Sequence, residues 1–164
     1  MIQMKICMLG AYGVGKTSLV RRFVESMFDE RYHTTVGVKI DKKVVEVDHA
    51  PVMLMIWDLA GEDEVEQVRL SHLRGAAGYI LVVDGCRQST LALASSLKER
   101  VESVCGHLPY VLAVNKADLR DEWEVDPAGP LTGDPTDIFV TSAKAGTLVQ
   151  QMFETLATKM LKCG

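Results

Sequence analysis

The sequence predicts an α/β fold, a mostly parallel sheet with helices on both faces. Three observations predict it. Short apolar runs alternate with segments whose apolar residues recur at helical spacing, the pattern of strand–helix–strand units. The runs GYILVVD (78–84) and PYVLAVN (109–115) are apolar throughout, as strands buried on both faces must be. The runs 38–48 and 51–58 are separated only by Asp48, His49 and Ala50, which reads as a hairpin and makes one strand antiparallel.

In chain order, KICMLG (5–10) is a short buried strand that runs into a glycine-rich loop. KTSLVRRFVESMF (16–28) sets Leu19, Val20, Phe23, Val24 and Met27 at helical spacing, so a helix starts inside that loop. VKIDKKVVEVD (38–48) alternates in polarity, and PVMLMIWD (51–58) is apolar. After the strand at 78–84 a helical pattern runs from Thr90 to Val104, and the strand at 109–115 follows. TDIFVTS (136–142) supplies the last strand. GTLVQQMFETLATKML (146–161) is a closing amphipathic helix with Leu148, Met152, Phe153, Leu156 and Met160 inward. Residues 121–136 carry three prolines and two glycines where the alternation asks for a crossover helix. Proline removes a backbone donor and clashes with the preceding turn, so a long surface loop is expected there. No repeat, linker or low-complexity stretch appears, and residues 1–164 read as one domain.

Composition narrows the function. A net charge of −4 argues against a general nucleic-acid binder, which needs a basic surface. Cys7, Cys86, Cys105 and Cys163 are far apart and form no CxxC or Cys/His cluster. That argues against a disulfide framework or zinc site and for a reducing cytosol, so a cytoplasmic location is expected. The N-terminal apolar run is too short for a signal peptide, and no run is long enough to span a bilayer.

Three motifs carry chemistry, each at the carboxyl end of a strand, where ligands bind in such sheets. Gly10, Gly15, Lys16 and Thr17 satisfy GxxxxGK[ST]. Successive backbone N–H groups of Ala11, Tyr12, Gly13 and Val14 and a helix N-terminus running on through Ser18 make a nest for phosphate. Lys16 adds a mobile positive charge, and the Thr17 hydroxyl can ligate Mg²⁺. In WDLAG (57–61), Asp58 can hold Mg²⁺ through a water, and Gly61 offers a bare N–H to a terminal phosphate. In NKAD (115–118), the Asp118 carboxylate matches guanine's ring N–H and exocyclic amine, a pattern adenine lacks. Asn115 and the stem of Lys116, with Leu119 beside them, can brace the loops and cover the base. TSAK (141–144) adds Ser142, Lys144 and the Ala143 N–H, which can bond the guanine oxygen.

GAYGVGKTS, TTVGV, WDLAG, NKAD and TSAK resemble, in order and spacing, the motifs of Ras-superfamily small GTPases. FDERYHTTVGV (28–38) and RGAAGYILVVD (74–84) look most like the Rab branch. The resemblance covers nearly the whole chain. It implies the P-loop small G-protein fold, with six strands and five helices, here with the fourth crossover helix shortened or missing. It implies GTP, GDP and Mg²⁺ as ligands. Thr35 matches the threonine that binds Mg²⁺ and the γ-phosphate, Phe28 the aromatic against the guanine, and Tyr32 the ring that closes over the phosphates. Effectors, exchange factors and activators would meet switch loops at 28–40 and 58–74, ordered by the γ-phosphate around Thr35 and Gly61.

Two residues depart from that family. Glu62 stands where the family usually has a glutamine that orients the attacking water. A carboxylate accepts a hydrogen bond from water but, ionised, donates none to the phosphoryl group. Tyr12 stands where much of the family keeps a small residue. A partner's arginine finger approaches near that point and contributes about 10³–10⁵ in rate, and a tyrosine ring would crowd it. The ending MLKCG has no CaaX box or paired cysteines, so no intrinsic membrane anchor is expected, as in a soluble or prokaryotic member. The expected function is a guanine-nucleotide switch that hydrolyses GTP. One rival is a GTP/GDP-binding scaffold with negligible hydrolysis. A phosphoryl-transferring P-loop kinase is a second, disfavoured by NKAD and TSAK.

Overall fold

The computed structural model describes residues 1–26, 38–59, 70–126 and 137–163. Strand β1 (Ile2–Gly10) leads into helix α1 (Lys16–Glu25), followed by the hairpin strands β2 (Val38–Val47) and β3 (Ala50–Leu59). A one-turn helix α2 (Leu70–Leu73) precedes β4 (Ala76–Asp84), α3 (Gln88–Cys105) and β5 (Tyr110–Asn115). A 3₁₀ segment (Ala117–Glu122), β6 (Ile138–Val140) and α4 (Val149–Cys163) complete the chain. The strands form one sheet ordered β2-β3-β1-β4-β5-β6, antiparallel only between β2 and β3.

Alternation along β1 divides the core in two, since successive side chains of a strand face opposite sides. Ile6 and Met8 join Leu54 and Ile56 on one face, under Leu19, Val20 and Phe23 of α1 and Met152, Phe153, Leu156 and Met160 of α4. The rings of Phe23 and Phe153 stack there with centroids 4.0 Å apart. Cys7 and Leu9 join Tyr79 and Leu81 on the other face, under Ala94, Leu97 and Val101 of α3. Both faces are thus covered, as the continuous apolar runs require.

Several boundaries differ from the sequence reading. β1 begins at Ile2 because it pairs with β3 from that residue onward. The hairpin turn has two residues rather than three: Ala50 pairs with Val47, and Asp48 and His49 both take positive φ, 51° and 66°. That geometry matches the right-handed twist of the strands it joins. α1 stops at Glu25, where Ser26 turns left-handed, and Met27 lies outside the described residues. β6 is three residues long rather than seven. Leu148 is not inward. It is 39% exposed with φ 56°, because Ser142 and Thr147 bridge to close a loop, and α4 starts one residue later with buried Val149. Between β5 and β6 the described residues hold the 3₁₀ segment, and 127–136, on which most of the expected surface loop falls, lie outside them.

All four cysteines are free. No helix among the described residues is long and apolar enough to cross a membrane.

Candidate nucleotide site

The loops after β1, β3, β5 and β6 meet at one end of the sheet because those strands run parallel. After Gly10 the chain turns through Gly13 (φ 78°) and Gly15 (φ 103°) into α1. Gly15 has no room for a side chain: a Cβ there would lie 2.3 Å from the Asn115 amide nitrogen. At Gly10 a Cβ would lie 2.5 Å from the Val82 carbonyl oxygen. Ala11 and Val14 are buried and seat the loop, whereas Tyr12 is 41% exposed. Lys16 is buried and curls back, its Nζ donating to the carbonyls of Gly10 (2.9 Å) and Ala11 (3.3 Å). Ser18 follows on α1, half-buried.

Thr17 lies in the first turn of α1 and Asp58 one residue before the end of β3, and the register of β1 on β3 brings them together. The Thr17 hydroxyl donates to the Asp58 carboxylate at 2.6 Å, and Asp58 is fully buried. A hydroxyl beside a carboxylate next to a phosphate nest is an oxygen donor set that fits Mg²⁺, a hard cation that keeps several waters. Among the described residues there is no cluster of three or more His, Cys, Asp or Glu to hold a metal by other means.

At the carboxyl end of β5, Asn115 is buried and bridges two loops. Its amide donates to the Val14 carbonyl (3.0 Å), and its oxygen accepts from the Thr141 hydroxyl (3.2 Å). Lys116 is left-handed (φ 76°), and its Nζ pairs with Asp84 at 2.8 Å. Asp118 accepts from the Ser142 hydroxyl (2.8 Å), which in turn accepts from the Ala145 N–H. Leu119 is 40% exposed beside this loop. The carbonyls of Ala143 and Lys144 both accept from the Arg22 guanidinium of α1. NKAD and TSAK therefore form one hydrogen-bonded unit, joined to the phosphate loop by Asn115. Phe28, Tyr32, Thr35, Gly61 and Glu62 lie outside the described residues.

Sequence reasoning did not single out Asp84, Arg87, Arg22 or Trp123. Asp84 has the same signal as the motif residues, a polar residue at the carboxyl end of a buried strand. Burial pushes its carboxyl upward, but Lys116, the Cys86 N–H and Arg87 outweigh that and hold it below the usual carboxylate range. The Trp123 indole N–H donates to the Lys116 carbonyl at 2.8 Å, and its ring lies on Gly85, where a Cβ would clash at 2.1 Å.

The Ras family profile matches residues 5–162. The chain belongs to the Ras family. Among its relatives, Ras-related protein Rab-30 of Homo sapiens, of Bos taurus and of Mus musculus is in each case 34% identical over 161 residues. Those residues make up 96% of this chain and 79% of each relative. The chain is thus a Rab-like Ras-superfamily member. Ras and Rab proteins are small GTPases that work as switches, use Mg²⁺ with GTP and GDP, and bind regulators and effectors.

Proposed function

We propose that this chain binds GTP and GDP with Mg²⁺, hydrolyses GTP to GDP and phosphate, and switches partners between the two states. The observation that carries the reading is the bridge from Asn115 to both Val14 and Thr141, which holds the phosphate loop, NKAD and TSAK as one site. In this reading Asp118 reads guanine, with the Ala143 N–H on the guanine oxygen and the stem of Lys116 beside the base. The N–H groups from Gly10 to Ser18 and the Lys16 ammonium stabilise charge developing on the β- and γ-phosphates. Bound Mg²⁺, held by Thr17 and Thr35 with Asp58 behind a water, would neutralise charge on those oxygens. Gly61 meets the γ-phosphate, and Glu62 places the water. Phe28 and Tyr32 cover base and phosphates. Effectors, exchange factors and activators are assigned to 28–40 and 58–74, in the cytoplasm.

The test is binding of fluorescent GDP against ADP, followed by single-turnover phosphate release. The parent, Tyr12→Gly and Glu62→Gln are compared with and without an activator. Equal retention of GDP and ADP would end the guanine assignment. The acidic Glu62 and the exposed Tyr12 ring favour a second reading, a GTP/GDP-binding scaffold. GDP binding without phosphate release would establish that instead.

A further inference from the structure

We infer that Arg87 is a positioning residue for the phosphate loop, tying the Tyr12 carbonyl to the buried carboxylate of Asp84. The inference rests on the nucleotide-binding reading of this site and adds a residue to it. The guanidinium makes two bonds in one fork: Nε to Asp84 at 3.0 Å and a terminal nitrogen to the Tyr12 carbonyl at 2.7 Å. Its backbone is also held. Arg87 precedes α3, its N–H donates to the Asp84 carbonyl, and its own carbonyl accepts from Thr90. The anchor is rigid, since Asp84 is 1% exposed and also accepts from Lys116 and the Cys86 N–H. One carboxylate oxygen thus takes both Lys116 of the base loop and Arg87 of the phosphate-loop tie.

The consequence lies in the peptide between Tyr12 and Gly13. A trans peptide is planar, and its C=O and N–H point opposite ways. Drawing the Tyr12 oxygen toward Arg87 turns the Gly13 N–H to the opposite side of that peptide, the side that would face the phosphates in the proposed reading. Gly13 takes φ 78° without a Cβ to restrain it, so this peptide rotates easily once the tie is cut. Arg87 therefore selects which face of the peptide meets the phosphates. It acts through the backbone and touches no nucleotide itself.

The experiment is competition against fluorescent GDP with Mg²⁺ present, using GDP, GMP and inosine diphosphate as competitors. It compares the full parent chain with Arg87→Ala and Arg87→Lys. GMP lacks the β-phosphate, so the ratio of GDP to GMP affinity isolates the phosphate loop. In Arg87→Ala that ratio falls about tenfold, the lower range for one charge-assisted hydrogen bond. Arg87→Lys keeps the charge, folds like the parent and shows the same fall, because one ammonium cannot span both acceptors. Discrimination between GDP and inosine diphosphate is unchanged. A ratio within twofold of the parent in both variants overturns the inference, and so does an equal loss for GDP and GMP, which marks a merely structural arginine. A parent chain that retains no guanine nucleotide removes the underlying reading and this inference together.

Discussion

Replacing Asn115 with alanine removes both bonds that join the phosphate loop to the last strand. The side chain is 2% exposed, and its two partners are more deeply placed: Thr141 and Val14 are both fully buried. Alanine leaves the Thr141 hydroxyl and the Val14 carbonyl each without this partner. A buried group left unsatisfied costs about 1–3 kcal/mol. Two such groups give about 2–6 kcal/mol, and water entering the space left by the amide offsets part of it, so roughly 3 kcal/mol remains. At about 2–4 °C per kcal/mol for a chain of this size, the midpoint falls by about 6–12 °C. Asn115→Asp keeps the acceptor for Thr141 but sets a carboxylate oxygen against the Val14 carbonyl, so it destabilises at least as much. Thermal unfolding of parent and variants without nucleotide measures this directly. A midpoint for Asn115→Ala within about 2 °C of the parent would refute the bridge as a structural tie.

Three further outcomes follow from the same contacts. Under the proposed function, Thr17→Ala removes the hydroxyl that bonds Asp58, so GDP release in Mg²⁺ is expected to rise to nearly its rate in EDTA; stopped-flow release with and without chelator, against the parent, reads it. Phe153→Ala deletes the ring stacked on Phe23 and is expected to cost about 3–5 kcal/mol in denaturant unfolding. Asp84 has a folded pKa below its unfolded value, so its contribution to stability is complete above the unfolded pKa. That contribution is lost as pH falls through the folded pKa. Asp84→Asn is therefore less stable than the parent near neutrality, and the gap narrows in acid below about pH 4, which acid-unfolding curves at fixed temperature can follow.

The motifs were legible because each is contiguous and sits where a strand ends. Gly10, Gly15, Lys16, Asp58, Asn115 and Asp118 announce themselves by spacing within a few residues. The ties between them are not local. Arg22 reaches carbonyls 121 and 122 positions away, and Arg87 reaches one 75 positions back, so no window of sequence contains both partners. Leu148 misled for a different reason. It continues the apolar period of α4, but periodicity does not register that the chain is left-handed at Gly146 and again at Leu148. The hairpin was a residue too long because its turn uses Asp48 and His49 in place of the Asn-Gly pair that marks a two-residue turn.

That turn gives the molecule a handle. β3 runs from it to Asp58, roughly 30 Å at about 3.3 Å per residue, so Asp48 and His49 lie at the opposite end of the strands from the candidate nucleotide loops. Both residues are exposed. A dye, an affinity tag or a surface tether spliced between them would ride on the end of the strands remote from the proposed nucleotide site. The protein could then be immobilised or tracked one molecule at a time with its working end turned outward.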